Sequence, residues 1–157
     1  MECRDNDGGE SGEVVEVLVR RRVDICCVQE MRWKGSDARM VKGRQGQKYK
    51  FVWLGYQEGV YDIGVLFSEE CLDSVVSVTR VSERLMMMVR MGIGKLFVNV
   101  ISGYAPQVGR SDGEDKFWCV MEKLMENAKD EEVVLIGGDL SEHVGRSTDG
   151  FEGVHAG

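Results

Sequence analysis

One apolar run, halted by two glycines and an acid, constrains this chain most: Val133-Val134-Leu135-Ile136-Gly137-Gly138-Asp139-Leu140. A run that short suits a strand buried on both faces; the glycines then free the backbone, and a carboxylate arrives where the strand ends. Val23-Asp24-Ile25-Cys26-Cys27-Val28 repeats the pattern and leads into Gln29-Glu30. Two such strands deliver one acid each, and at a shared sheet rim Glu30 and Asp139 would offer oxygen ligands to a hard cation such as Mg²⁺. The same pattern also fits two acids that open solvated loops.

The remaining composition narrows the class. A chain of 157 residues, 43% hydrophobic and 30% charged, has room for one soluble globular domain with a real core, and no repeat divides it. No stretch is apolar enough to span a bilayer, so no membrane partner is expected, and Met1–Asp7 lacks the apolar core of a signal peptide. Five cysteines, two of them adjacent at Cys26 and Cys27, form neither a disulfide framework nor a metal-ligand spacing, which fits a reducing, intracellular compartment. The net charge of −7 is unevenly spread. From Met31 to Lys50, seven cations (Arg32, Lys34, Arg39, Lys42, Arg44, Lys48 and Lys50) face one acid, Asp37, a local +6 that leaves −13 elsewhere. Such a segment directly after Glu30 would set phosphate-binding charge beside a metal ligand, with Trp33 as a stacking ring. A solvated basic loop is the other reading.

Along the chain, residues 1–12 read as a loose N-terminal segment and 13–157 as the domain. Ser11 is placed to cap a helix with Val14, Val17 and Leu18 on its apolar face and Arg20–Arg22 in its last turn. A strand at 23–30 and a Gly-containing basic loop follow. Further strands are expected at 49–54, 63–67, 74–81, 85–91 and 96–101, with Met86-Met87-Met88 as strand packing. The clearest helix starts at Asp112 and sets Phe117, Val120, Met121, Leu124, Met125 and Ala128 on one face. Helices packed on a mostly antiparallel core make an α+β fold.

Three motifs in order then bring a resemblance. Gln29-Glu30-Met31-Arg32-Trp33-Lys34-Gly35, Val100-Ile101-Ser102-Gly103-Tyr104-Ala105-Pro106-Gln107-Val108-Gly109 and Gly137-Gly138-Asp139-Leu140-Ser141-Glu142-His143-Val144-Gly145 resemble the endonuclease/exonuclease/phosphatase superfamily. They are most similar to the apurinic-type endonuclease domain of RTE/BovB-like non-LTR retrotransposons, which craniofacial development protein 2-like proteins also carry. The resemblance implies a two-sheet β-sandwich flanked by helices (four layers, α/β/β/α) and a Mg²⁺-dependent DNA endonuclease, nuclear where functional. It implies no small-molecule cofactor beyond the metal. Glu30 matches the metal-binding glutamate, Tyr104 the tyrosine that contacts the scissile phosphate, and Asp139 the aspartate that positions or deprotonates the attacking water. Arg32, Lys34, Arg39, Lys42 and Arg44 become the expected DNA phosphate contacts. On the residues alone, Tyr104 also reads as a strand-end ring packed on Pro106.

The chain departs from the family pattern in three ways. Ser141 stands where Gly-Asp-Leu-Asn has its asparagine, and a hydroxyl cannot present an amide to a phosphate. The opening strand with its active-site asparagine has no counterpart in residues 1–11. The later Asp–His pair has no counterpart either, and His143 and His155 read as loop residues. The expectation is therefore an incomplete, N-terminal part of the domain, impaired or inactive as an enzyme and prone to self-association through an exposed sheet face. The alternative is a catalytically dead retrotransposon-derived remnant that binds nucleic acid or protein.

Overall fold

The computed structural model describes residues 7–33, 35–55, 62–81, 86–105 and 111–140. They form a mixed α+β fold, mostly strands, in two four-stranded sheets with two α-helices and a 3₁₀ turn at Glu69–Ser74. No helix among them is long and apolar enough to cross a membrane.

Period-two patterning builds the first sheet. Strands β1 (Ile25–Gln29), β2 (Ser36–Lys42), β3 (Lys48–Gly55) and β4 (Asp62–Ser68) run antiparallel in the order β1-β4-β3-β2. Alternate side chains part to opposite faces. Val52, Leu54, Ile63, Val65 and Phe67 enter one core, while Tyr49, Phe51, Trp53 and Leu66 enter another. Helix α1 (Asp7–Arg21) covers that second face with Val15 and Leu18.

The second sheet holds β5 (Val75–Val81), β6 (Met86–Ile93), β7 (Leu96–Tyr104) and β8 (Val133–Asp139), in that order. Its first three strands are antiparallel, but β7 and β8 are parallel, so the chain returns through helix α2 (Ser111–Glu126) between them. The methionine triplet divides between two cores. Met87 meets the first sheet with Val89 and Met91, while Met86 and Met88 pack with Ile101 against Phe117, Met121 and Leu124 of α2. Each fully buried side chain of this kind stabilises by about 1.5–3 kcal/mol. At the start of β8 a polar staple holds the sheet: Glu132 pairs with Arg90 at 2.6 Å and accepts from the buried Asn99 amide at 2.9 Å.

Several expectations need correction. Strand β8 is expected to be buried on both faces, yet among the described residues it pairs with β7 alone and Leu135 is 51% exposed. Strand β1, also an edge strand there, is half-buried on both faces, with Ile25 and Cys27 toward one core and Cys26 and Val28 toward the other. The strands enclosed on both faces are β3 and β4, between α1 and the second sheet. The basic stretch expected as a loop carries β2, because its alternation lets Ala38 face the inter-sheet core while Arg39 stays exposed. Helix α1 begins at Asp7, inside the stretch expected to be loose, so Ser11 is a buried interior residue rather than a cap. Val15, not Val17, shares the buried stripe with Leu18, since positions 11, 15 and 18 line one helical face. Helix α2 ends at Glu126, leaving Ala128 beyond it.

Candidate functional site

The ends of β1, β7 and β8 meet at one rim. Glu30 directly follows β1, and its N–H donates to the Asp62 carbonyl at 3.3 Å. Tyr104 closes β7 and pairs in register with Asp139, which closes β8, and the Ala105 N–H donates to the Asp139 carbonyl at 3.1 Å. Ser102 Oγ donates to the Gly64 carbonyl at 3.3 Å and sets the level of the two sheets. Tyr104 then reaches across the gap, its hydroxyl 3.5 Å from Glu30 Oε1, the outer limit of a hydrogen bond. Three residues chosen from separate sequence motifs thus share one rim.

The glycines before Asp139 allow that approach. A Cβ at Gly137 would stand 2.8 Å from Cys27 Sγ, so only glycine lets β8 lie this close to β1. Gly138 has φ 144° and faces the Gly103 backbone, whose carbonyl carbon and nitrogen would lie 3.0 and 3.1 Å from an added Cβ. Burial pushes the Cys27 thiol up, against a hydrogen bond with Ser102, and the side chain packs against the core between the sheets.

Asp62 escaped the sequence reading. It is 1% exposed, and its two oxygens accept from Met31 N–H at 2.7 Å and Trp33 N–H at 2.6 Å. Burial raises its pKa, the three backbone hydrogen bonds from Trp33, Met31 and Glu30 oppose the rise, and the Glu30 charge adds to it. The available signal was an acid opening the otherwise apolar run Asp62-Ile63-Gly64-Val65-Leu66-Phe67.

The expected phosphate contacts do not form one patch. Arg32 lies in the turn beside Glu30, with φ 60°. Arg39 sits over the ring of Trp33, 5.6 Å from its centroid. Trp33 itself, read as a stacking ring, is half-buried against Phe51 and Trp53 at 5.1 and 4.6 Å between centroids. Lys42 closes β2 six residues beyond Ser36, which places it and Arg44 about 20 Å from the rim at ~3.3 Å per residue. There the Arg44 N–H is held by the Glu16 carboxylate. Lys34, Ser141, His143 and His155 lie outside the described residues.

No family model and no curated protein matches this chain. The donor set must therefore speak for itself. Among the described residues no group of three or more His, Cys, Asp or Glu side chains converges to hold a metal ion. Glu30 and Asp139, both exposed, supply oxygen donors only. That is the donor type Mg²⁺ takes, and Mg²⁺ commonly binds through one or two carboxylates with water and substrate phosphate completing its shell. The rim fits that ion in donor chemistry.

Proposed function

We propose that this rim is the site of a Mg²⁺-dependent DNA endonuclease of the endonuclease/exonuclease/phosphatase type. The observation that carries the reading is the meeting of Glu30, Tyr104 and Asp139 at one sheet rim, with the Tyr104 hydroxyl 3.5 Å from Glu30 and Tyr104 in register with Asp139. The fold belongs to the same proposal: a two-sheet sandwich with α1 outside one sheet and α2 outside the other is the family's four-layer order, and the shared core of Val65, Phe67, Met87 and Val89 supports it.

In this reading Glu30 holds the metal, which when bound supplies positive charge to the phosphoryl oxygens. Tyr104 donates its phenolic proton to a phosphate oxygen, and Asp139 orients or deprotonates the attacking water. Arg32, beside Glu30, and Arg39, over Trp33, offer phosphate contacts near the rim. Ser141 stands in the place of an amide donor, and loss of one such donor lowers the rate about 10²–10³-fold. The expected enzyme is slow.

Nicking of supercoiled plasmid with Mg²⁺ tests this. The native chain should nick slowly, and Glu30→Gln, Asp139→Asn or EDTA should abolish it. Nicking by the folded native chain no faster than by either variant refutes the enzyme and leaves a remnant with a binding role.

A further inference from the structure

Strand β4 is apolar from Ile63 to Phe67 and buried along its length, yet it opens on a carboxylate that is 1% exposed. Strand pairing does not require that side chain, since Asp62 meets Gly55 across the ladder through its backbone. Burying a carboxylate is costly unless its oxygens are satisfied. Here each oxygen takes one amide proton, from Met31 and from Trp33, and the Asp62 carbonyl takes a third from Glu30. One residue thus grips three of the four residues that follow β1.

Those residues form an unusual turn. Glu30 at φ 57° and Arg32 at φ 60° both adopt the left-handed region, which side chains other than glycine occupy at a steric cost. With left-handed residues at alternate positions, the amide protons of Met31 and Trp33 both turn toward the Asp62 carboxylate, one to each oxygen, in the manner of the concave backbone nests that bind anions in many proteins. Trp33 is anchored at the far end of the turn by Phe51 and Trp53. Glu30, exposed at the near end, follows the last ladder-paired residue Gln29 and is held by its own N–H bond and by the nest.

We propose that Asp62 is the positioning residue of the rim: by filling the nest it holds the backbone from which Glu30 reaches Tyr104. It touches neither substrate nor metal. The inference rests on the endonuclease reading only for what Glu30 binds.

Asp62→Asn keeps the shape but offers one acceptor oxygen and sets an NH₂ group against the second amide. In the full chain, hydrogen exchange at Met31 and Trp33 should accelerate, and the nuclear Overhauser contact between the Glu30 methylenes and the Tyr104 ring should disappear. Mn²⁺ affinity, read by water proton relaxation, should fall about 10–100-fold, the usual effect of removing a residue that orients a metal ligand. Adding Arg32→Gly to Asp62→Asn should restore part of the Glu30–Tyr104 contact, because glycine adopts positive φ freely. A purely stabilising role would raise the melting temperature of that double variant without restoring the contact. A folded Asp62→Asn that keeps the contact overturns the proposal. If Asp62→Asn does not fold, exchange in the native chain decides: slow Met31 and Trp33 amides support it, fast ones overturn it. If Glu30→Gln binds Mn²⁺ as tightly as the native chain, the endonuclease reading fails, and Asp62 is judged on the contact alone.

Discussion

Replacing Gly138 by alanine should unfold the rim from its tightest point, and a second glycine supplies the control. At Gly138, φ is 144° and the added Cβ would overlap the Gly103 carbonyl, with further backbone atoms at 3.0 and 3.1 Å. Gly94, in the turn between β6 and β7, has φ 61°, and a Cβ there would meet no atom within 4 Å. Backbone strain alone applies at Gly94 and costs about 1–2 kcal/mol. At Gly138, strain of about 1–3 kcal/mol adds to the separation of β8 from β7. That separation loosens bonds such as the one from Ala105 N–H to the Asp139 carbonyl, each worth about 0.5–1.5 kcal/mol. Gly138→Ala should therefore lose about 2–5 kcal/mol, a large part of the roughly 5–15 kcal/mol that holds a domain together. Urea unfolding followed by tryptophan fluorescence measures both variants, and the Tm of Gly138→Ala should fall by roughly 10 °C against about 3 °C for Gly94→Ala. Equal losses, within about 0.5 kcal/mol, would refute the claim that close strand approach adds to φ in demanding glycine at the rim.

Two further outcomes follow from the same structure. The Asn99 amide, and then the Arg90 charge, hold the Glu132 carboxyl below its usual 4.5, against the opposing effect of burial. Its contribution is present above that unfolded value and is lost as pH falls through the lower folded value, so the native chain should lose stability below about pH 4.5. Glu132→Gln should be less stable at neutral pH but flatter in acid, and parallel curves for the two proteins would remove Glu132 as the cause. Ser141→Asn should raise plasmid nicking about 10²–10³-fold by restoring an amide donor; an unchanged rate would place the defect elsewhere.

What was legible in the chain, and what was not, follows from the range of the interactions. Glu30 and Asp139 could be picked out because each stands at the end of an apolar run, and strand ends are written locally in such runs and the polar or glycine residues that stop them. Tyr104 came only from the resemblance of its motif, since its own neighbours equally fit a packing ring. Asp62 was hidden because its partners lie 29 and 31 residues away, and no local pattern announces a hydrogen bond of that range. Edge and centre were confused because an apolar run records the polarity of a strand and not its number of neighbours; β8 and β4 look alike in sequence, yet Leu135 is 51% exposed and Val65 is fully buried. The basic segment misled for a geometric reason. Residues adjacent in a loop stay together, but in β2 each step carries the chain about 3.3 Å further from Glu30, so Lys42 and Arg44 lie far from the charge they were expected to assist.

The rim is also a gauge. Tyr104 and Asp139 ride on one sheet and Glu30 on the other, so the gap between phenol and carboxylate is a measure of how the two plates sit against each other. Beside the shared core, two contacts near the rim hold that spacing: Cys27 against Gly137, and the Ser102 hydroxyl on the Gly64 carbonyl. A side chain enlarged at Cys27 would therefore act as a shim, opening the gap between phenol and carboxylate while leaving every rim residue in place, and graded substitutions there would tune the site by thickness alone.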